Sequence, residues 1–206
     1  NDDVGDHVVT VQVTDSAGES ATKTFTLTVS NTNDAPVIKA ISDGSVDQDT
    51  AFSYQLTATD VDADVVDETL TYEAVEKPAW MSVSSTGQIT GTPTNEDVGD
   101  HTVTVNVTDN AGATDTKTFT LTVNNVNDAP EFTFTAPTST DEDAAFEYQL
   151  TASDIDADVV AETLTFEAVE TPEWMSVSAS GLITGTPKND DVGDHVVTVQ
   201  VTDSAG

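Results

Sequence analysis

The sequence predicts an all-β chain of tandem seven-stranded Greek-key sandwiches, and three features lead there. One register of 94 residues runs through the chain: Asp-Val-Gly-Asp-His starts at Asp3, Asp97 and Asp191, Asn-Asp-Ala-Pro at Asn33 and Asn127, and Trp-Met-Ser-Val at Trp80 and Trp174. Units of that length exceed solenoid repeats and match independently folding domains joined in series. Within the register, apolar residues alternate with threonine at period two. Gly, Pro, Asn and Asp cut the alternation into short runs, as turn residues do.

In the complete copy the expected strands are 37–41, 51–59, 69–75, 81–84, 88–90, 101–108 and 114–123. Phe52, Tyr54, Leu56 and Ala58 share one face, Leu70, Tyr72 and Ala74 a second, Val103, Val105 and Val107 a third, and Phe119, Leu121 and Val123 a fourth. Threonine on the opposite faces suits half-exposed strands. No stretch shows helical spacing. Seven short strands in one register indicate an immunoglobulin-like sandwich.

The register fixes the expected domains. Residues 1–35 are the last two strands of one copy, 36–128 a complete copy, and 129–206 a copy without its last strand. Residues 1–18 repeat as 189–206, and Thr-Lys-Thr-Phe-Thr-Leu-Thr-Val occurs at 22–29 and 116–123. The chain reads as a piece of something longer. A hairpin standing alone at 1–35 would be marginal. An open sheet edge in the last copy would suit head-to-tail strand complementation by 22–29 of a second molecule.

Charge comes next. Asp and Glu number 38 against 5 Lys and Arg, a formal charge of −33 on 206 residues. With 36% hydrophobic residues, such a chain lies near the composition that stays unfolded unless a counter-charge offsets the repulsion. The charge excludes nucleic acid, whose phosphates need clustered Lys and Arg, and anionic membrane surfaces. No run of apolar residues is long enough for membrane insertion. Cysteine is absent, which removes disulfides and thiolate metal sites and makes hard, oxygen-ligated cations the leading candidates.

The single residues that draw the eye have plain roles. Trp80 and Trp174, one per copy after a proline-containing turn, read as core plugs rather than sugar platforms. His7, His101 and His195 are one residue seen three times and read as solvent-facing strand positions. No catalytic constellation can be assembled outside the repeat. Asp60-Val-Asp62-Ala-Asp64 and its copy Asp154-Ile-Asp156-Ala-Asp158 resemble the start of an EF-hand loop. Counting from Asp60, however, the position that needs glycine is Val65 and the one that needs glutamate is Thr71.

Strand parity says which segments could complete a cation site. If each strand reverses direction, the second and sixth strands deliver Asp60, Asp62, Asp64 and Asp109 to one pole. The opposite pole carries Asp47, Asp49, Glu96 and Asp97 and leads out into Asn127 and Asp128. Consecutive copies would then bring Asp47, Asp49, Glu96, Asp97, Asn127 and Asp128 to Asp154, Asp156, Asp158 and Asp203. Without cations that contact should repel; with calcium the same groups become a shared shell. Solvated acidic loops on a salt-adapted surface are the plain alternative.

These residues resemble a known family. Asn-Xaa-Asn-Asp-Ala-Pro at 31–36 and 125–130, Asp-Xaa-Asp at Asp60 and Asp154, and Val-Thr-Asp-Xaa-Ala-Gly at 107–112 and 201–206 look like cadherin calcium motifs. Pro-Xaa-Trp-Met-Ser-Val, Gly-Xaa-Ile-Thr-Gly-Thr-Pro and the valine-rich run from Asp97 resemble dystroglycan-type cadherin-like repeats, the Ig-like repeats of large bacterial surface adhesins. The resemblance implies calcium at interdomain junctions. At the first junction it points to Asn33 and Asp34, and Asp2 is the tail's counterpart of Glu96. That junction lacks a counterpart of Asp47. Glu96 stands where cadherins show Asp-Arg-Glu, and either residue flanking Gln48 could be the acid supplied there.

The leading functional expectation is a calcium-rigidified extender of a large secreted or bacterial surface adhesin, its partners being neighbouring repeats. The alternative is a calcium-dependent module that binds polysaccharide or like repeats on another cell. An enzyme is not expected, because the grouped carboxylates all fall at junctions.

Overall fold

The computed structural model describes residues 2–65 and 67–205. The chain divides into two compact units, one of residues 1–46, 50–93 and 100–123, the other of 47–49, 94–99 and 124–206. The fold is all-β: short strands, with four 3-10 turns among the described residues, at Val61–Asp64, Asn95–Asp97, Asp156–Asp158 and Asn189–Asp191. Among the described residues no helix is long and apolar enough to cross a membrane.

In the first unit the tail copy is an antiparallel hairpin, Gly5–Thr14 against Ser20–Val29, paired from Gly5 with Val29 to Thr14 with Ser20. Asp15 closes its turn by accepting the N–H groups of Ala17 and Glu19, each at 2.9 Å. The complete copy builds a four-stranded sheet in the order Gly44–Asp47, Thr114–Asn124, Gly99–Thr108 and Thr71–Glu76. A second sheet orders Phe52–Gln55, Gln88–Gly91 and Met81–Val83, and Val37–Ile38 pairs with Ala58–Thr59. Both sheets feed the core: Val103, Val105, Val107, Phe119, Leu121 and Val123 from the larger, Met81 and Ile89 from the smaller, all buried. The alternation seen in the sequence is thus the in-and-out pattern of sandwich strands.

Two strand expectations are corrected. The run 51–59 is not continuous: it breaks between Gln55 and Ala58, where Leu56 turns its N–H to the Gly87 carbonyl and Thr57 receives that of Lys39. Its two halves consequently pair with different partners. An eighth element, Gly44–Asp47, was not expected. Its neighbours along Thr114–Asn124 advance together, Asp43 beside Thr120 and Gln48 beside Asn124, so these two strands run parallel. A four-residue edge with one buried apolar side chain, Val46, leaves little period to read.

The tryptophans expected as core plugs are half-buried and lie outside the buried core, but each holds a tight place. A Cβ on Gly91 would lie 2.6 Å from the Trp80 carbonyl oxygen and 2.7 Å from its ring, and Gly185 sits the same way under Trp174. The histidines are more engaged than expected. His101 is half-buried with its ring edge-on to Trp80 at 6.1 Å. His195 meets Trp174 likewise at 6.0 Å, although it and His7 are exposed.

In the second unit Phe146–Gln149, Leu182–Gly185 and Met175–Val177 form one sheet, Thr165–Glu170 pairs with Thr198–Thr202, and Glu131–Phe132 pairs with Ala152–Ser153. Leu150, Phe166 and Ile183 form its buried core, flanked by Phe134, Phe146 and Val199. Residues 138–141, the counterpart of the parallel edge strand, form no strand. The 206 residues hold the octapeptide that pairs with such an edge only at 22–29 and 116–123.

Candidate metal centre

The site in the second unit begins with local geometry. Asp154 ends the short strand Ala152–Ser153 and its Oδ1 accepts the N–H of Asp156 at 2.9 Å, a side-chain turn typical of aspartate. That turn starts the 3-10 segment Asp156–Asp158 and drives the Asp156 side chain inward, where it has no exposure. Oδ2 of Asp156 accepts the main-chain N–H of Asp128 at 2.7 Å. The Asn127 amide donates to Oδ2 of Asp203 at 3.0 Å, while Oδ1 of Asp203 holds the N–H of Ala205.

Glu162 joins them. One oxygen each of Asp154, Asp156 and Glu162 lie within 4.8 Å of one another. Burial first, then the charges of Asp154, Asp203 and Asp156, push the Glu162 carboxyl above its ordinary value. Oδ2 of Asp154, Oδ1 of Asp156 and Oε2 of Glu162 are buried and meet no hydrogen-bond donor, and the same holds for the amide oxygens of Asn95 and Asn125. The ion pairs of the described residues, Lys117 with Asp115 and Lys188 with Asp143, involve none of these groups.

The same unit takes up 47–49 and 94–99. Gln48 is buried; its N–H reaches the Asn124 carbonyl, its Nε2 donates to Oδ2 of Asp128 at 3.2 Å, and its Oε1 accepts from Val126 at 3.3 Å. Asp49 adopts φ of +56°, unusual for a residue other than glycine and often seen at functional sites. It lines an open cavity with Asn95, Glu96, Asp128 and Asp154. The Asn95 amide donates to the Ile155 carbonyl at 2.8 Å. Asp97 instead caps its own turn, accepting the N–H and hydroxyl of Thr94.

The arrangement recurs 94 residues earlier in the first unit. Asp34 donates its N–H to Asp62 at 2.7 Å, Asn33 its amide to Asp109 at 2.9 Å, and Asp60 caps the turn of Asp62. Burial, then Asp60, Asp109 and Asp62, push the Glu68 carboxyl up. The Asn33 amide holds Asp109 below the usual range against an opposing effect of burial, helped by the N–H groups of Ala113, Gly112 and Ala111. Oδ2 of Asp60, Oε2 of Glu68 and the Asn31 amide oxygen are buried without a donor.

Of the residues singled out in the sequence, Asp154, Asp156, Asp128, Asn127 and Asp203 are thus gathered by hydrogen bonds, with Asp49 and Glu96 on the adjoining cavity. Asp60, Asp62, Asp109, Asn33 and Asp34 are gathered in the first unit. Asp64 and Asp158 are exposed on their 3-10 turns, Asp47 is engaged by the Asn124 amide at 2.9 Å, and Asp2 is exposed in the turn before the tail hairpin. Sequence reasoning missed Glu68, Glu162 and Asn95, and touched Asn31 and Asn125 only as the first residue of the junction motif. A usable signal existed for the glutamates: Asp67 becomes Ala161 in the next copy while Glu68 stays glutamate at 162.

Carboxylate and amide oxygens with neither sulfur nor imidazole among them fit a hard divalent cation, and the unpaired buried oxygens are where its positive charge would be met. Asp154, Asp156 and Glu162, with Asn95 on the cavity that Asp154 lines, are the groups suited to hold it.

Comparison with known proteins bears on fold and family. The family described as "Putative Ig domain" matches residues 35–124 and 129–206. Among solved structures the chain is similar to protocadherin gammaB7 EC3-6, a cis-dimer, at 17% identity and TM-score 0.57, over 96% of this chain and 56% of that one. It is similar to human CDH23 EC21-23 at 18% identity and TM-score 0.63, covering 97% and 73%. It is also similar to mouse Cadherin-23 EC22-24 at 23% identity and TM-score 0.61, covering 96% and 68%. The chain spans only 32% of an endo-fucoidan hydrolase of glycoside hydrolase family 107, a likeness with a TM-score of 0.41 that carries no argument. None of the curated proteins compared matches the sequence.

Proposed function

The chain belongs to the Putative Ig domain family, and from that premise we propose that it is a calcium-rigidified extender, a run of stalk repeats from a large bacterial surface or secreted adhesin. The observation that carries this reading is that Asp154, Asp156 and Glu162 bring one oxygen each within 4.8 Å of one another and that each has a buried oxygen without a donor. Calcium supplies the missing positive charge and ties Asp128 in the connector to the turn that follows it. The near-identical repeats suit a stalk, which needs length more than variety.

Calcium titration by calorimetry tests this, with Asp156→Ala as the control. The expected affinity is that of extracellular modules, about 0.1–1 mM. At tenfold excess over its dissociation constant one ion stabilises by about 1.4 kcal/mol. Heat that is unchanged by the substitution, or no heat at all, rules the site out. An end-to-end distance by small-angle scattering that is the same in calcium and in chelator rules out the rigidifying role.

A second partner reading, pairing between copies of this chain, is favoured by one observation. The hairpin strand Ser20–Val29 carries Phe25 and Leu27 exposed, whereas the same octapeptide in Thr114–Asn124 buries Phe119 and Leu121. Strand complementation would bury the exposed face. Sedimentation of the 206-residue chain tests it: association abolished by Leu27→Asp supports it, and a monomer at tens of micromolar ends it.

A further inference from the structure

We infer that Gln48 is a positioning residue that sets how far this site depends on its cation. The inference rests on the calcium reading above and concerns a residue that need not itself touch the ion.

Gln48 is 3% exposed, and both ends of its amide are used. Nε2 donates to Oδ2 of Asp128 and Oε1 accepts the N–H of Val126. Asp128 in turn gives its N–H to the buried Asp156. The neutral amide therefore fixes one carboxylate of the group from one side while its own backbone pairs with Asn124. Only a side chain with both a donor and an acceptor can do this. A carboxylate of the same shape can accept from Val126 but has nothing to donate to Asp128.

The chain supplies its own comparison. Ninety-four residues on, Asp47-Gln48-Asp49 becomes Asp141-Glu142-Asp143. The left-handed conformation is kept, φ being +56° at Asp49 and +60° at Asp143, so the backbone device is the same and the charge differs. At position 48 the amide partly substitutes for positive charge and holds Asp128 when no cation is present. Glutamate there would add a negative charge facing Asp128, weaken the cation-free state and strengthen the hold on calcium.

The test compares the whole chain with Gln48→Glu and Gln48→Met by thermal unfolding in chelator and in calcium, and by calcium calorimetry. Gln48→Glu is expected to lower the midpoint in chelator by about 4–8 °C, to recover in calcium, and to bind calcium about 3–10-fold more tightly as ligand charge rises. Gln48→Met loses both hydrogen bonds without adding charge. It is expected to bind calcium about 3–10-fold more weakly, because Asp128 is no longer held. A residue that merely packs would lower the midpoint equally with and without calcium in both variants and leave the affinity alone, and that result overturns the inference. If the wild type takes up calcium while the variants match it, this inference fails and the calcium reading stands. If the wild type takes up none, both fall.

Discussion

The main-chain N–H of Asp128 lies 2.7 Å from Oδ2 of Asp156, a carboxylate with no exposure whose other oxygen meets no donor. Asp34 and Asp62 repeat the contact at the same distance. The bond seats the connector on the next turn, but one N–H does not neutralise a buried negative charge. Asp156→Asn keeps an acceptor for Asp128 and removes that charge. In chelator it should be as stable as the wild type or more so, by up to about 1 kcal/mol. In calcium it should be the less stable of the two. Denaturant unfolding in both buffers checks this, and the same ranking in both would contradict a cation at the site.

The octapeptide shared by 22–29 and 116–123 offers an internal control on what packing contributes. Leu121 is 1% exposed and Leu27 is 55% exposed, with the same neighbours in sequence. Leu121→Ala should cost about 2–5 kcal/mol through lost burial and a cavity, and Leu27→Ala less than about 0.5 kcal/mol. Chemical denaturation of the two variants decides it. Equal losses would mean that the hairpin face is covered in solution.

Much of the complete copy was legible in the sequence because period two marks the face that a sandwich strand buries, although the same alternation in the tail hairpin leaves Phe25 and Leu27 exposed. Val103, Val105 and Val107 were picked by alternation alone and are all fully buried. Parity of strand direction brought Asp128 to Asp156 on paper. The failures share a cause. Gly44–Asp47 is an edge whose partner is a strand 70 residues away, so no local pattern marks it. Glu162 lies in a loop with no periodicity, so no local pattern marks its buried oxygen. Asp64 and Asp158 belong to the same acidic motif, but a 3-10 turn separates neighbouring side chains by about 120°, and both are exposed where Asp62 and Asp156 are buried.

Gly91 tests the tryptophan plug. A methyl group there would meet the Trp80 carbonyl at 2.6 Å and the ring at 2.7 Å, and the backbone cannot withdraw cheaply. Gly91→Ala should destabilise by about 1–3 kcal/mol through overpacking. It should also shift the tryptophan fluorescence, since the indole must move. A neutral substitution would show that the ring has room to retreat.

The raised glutamates give the cation-free protein an unusual dependence on pH. Glu68 and Glu162 titrate above 4.5 in the folded state, burial being the first cause and neighbouring aspartates the next. Between 4.5 and those raised values the folded state holds more protons than the unfolded chain. Stability therefore falls as pH rises through that window and stays low above it. Asp109 and Asp115 act oppositely. The Asn33 amide lowers Asp109 despite burial; at Asp115 burial opposes, but the Ile38 N–H and the Lys117 ammonium outweigh it. Their contribution is present above 3.8 and is lost as pH falls below it toward their depressed values. The combined contribution of these four groups is therefore largest between 3.8 and 4.5. Under the calcium reading the upper slope should reverse: if Glu68 and Glu162 serve as ligands they must be ionised, so stability should rise with pH over the same window. Thermal midpoints measured across that range in calcium-depleted and calcium-loaded buffer check both signs. Parallel slopes would remove the two glutamates from the cation site.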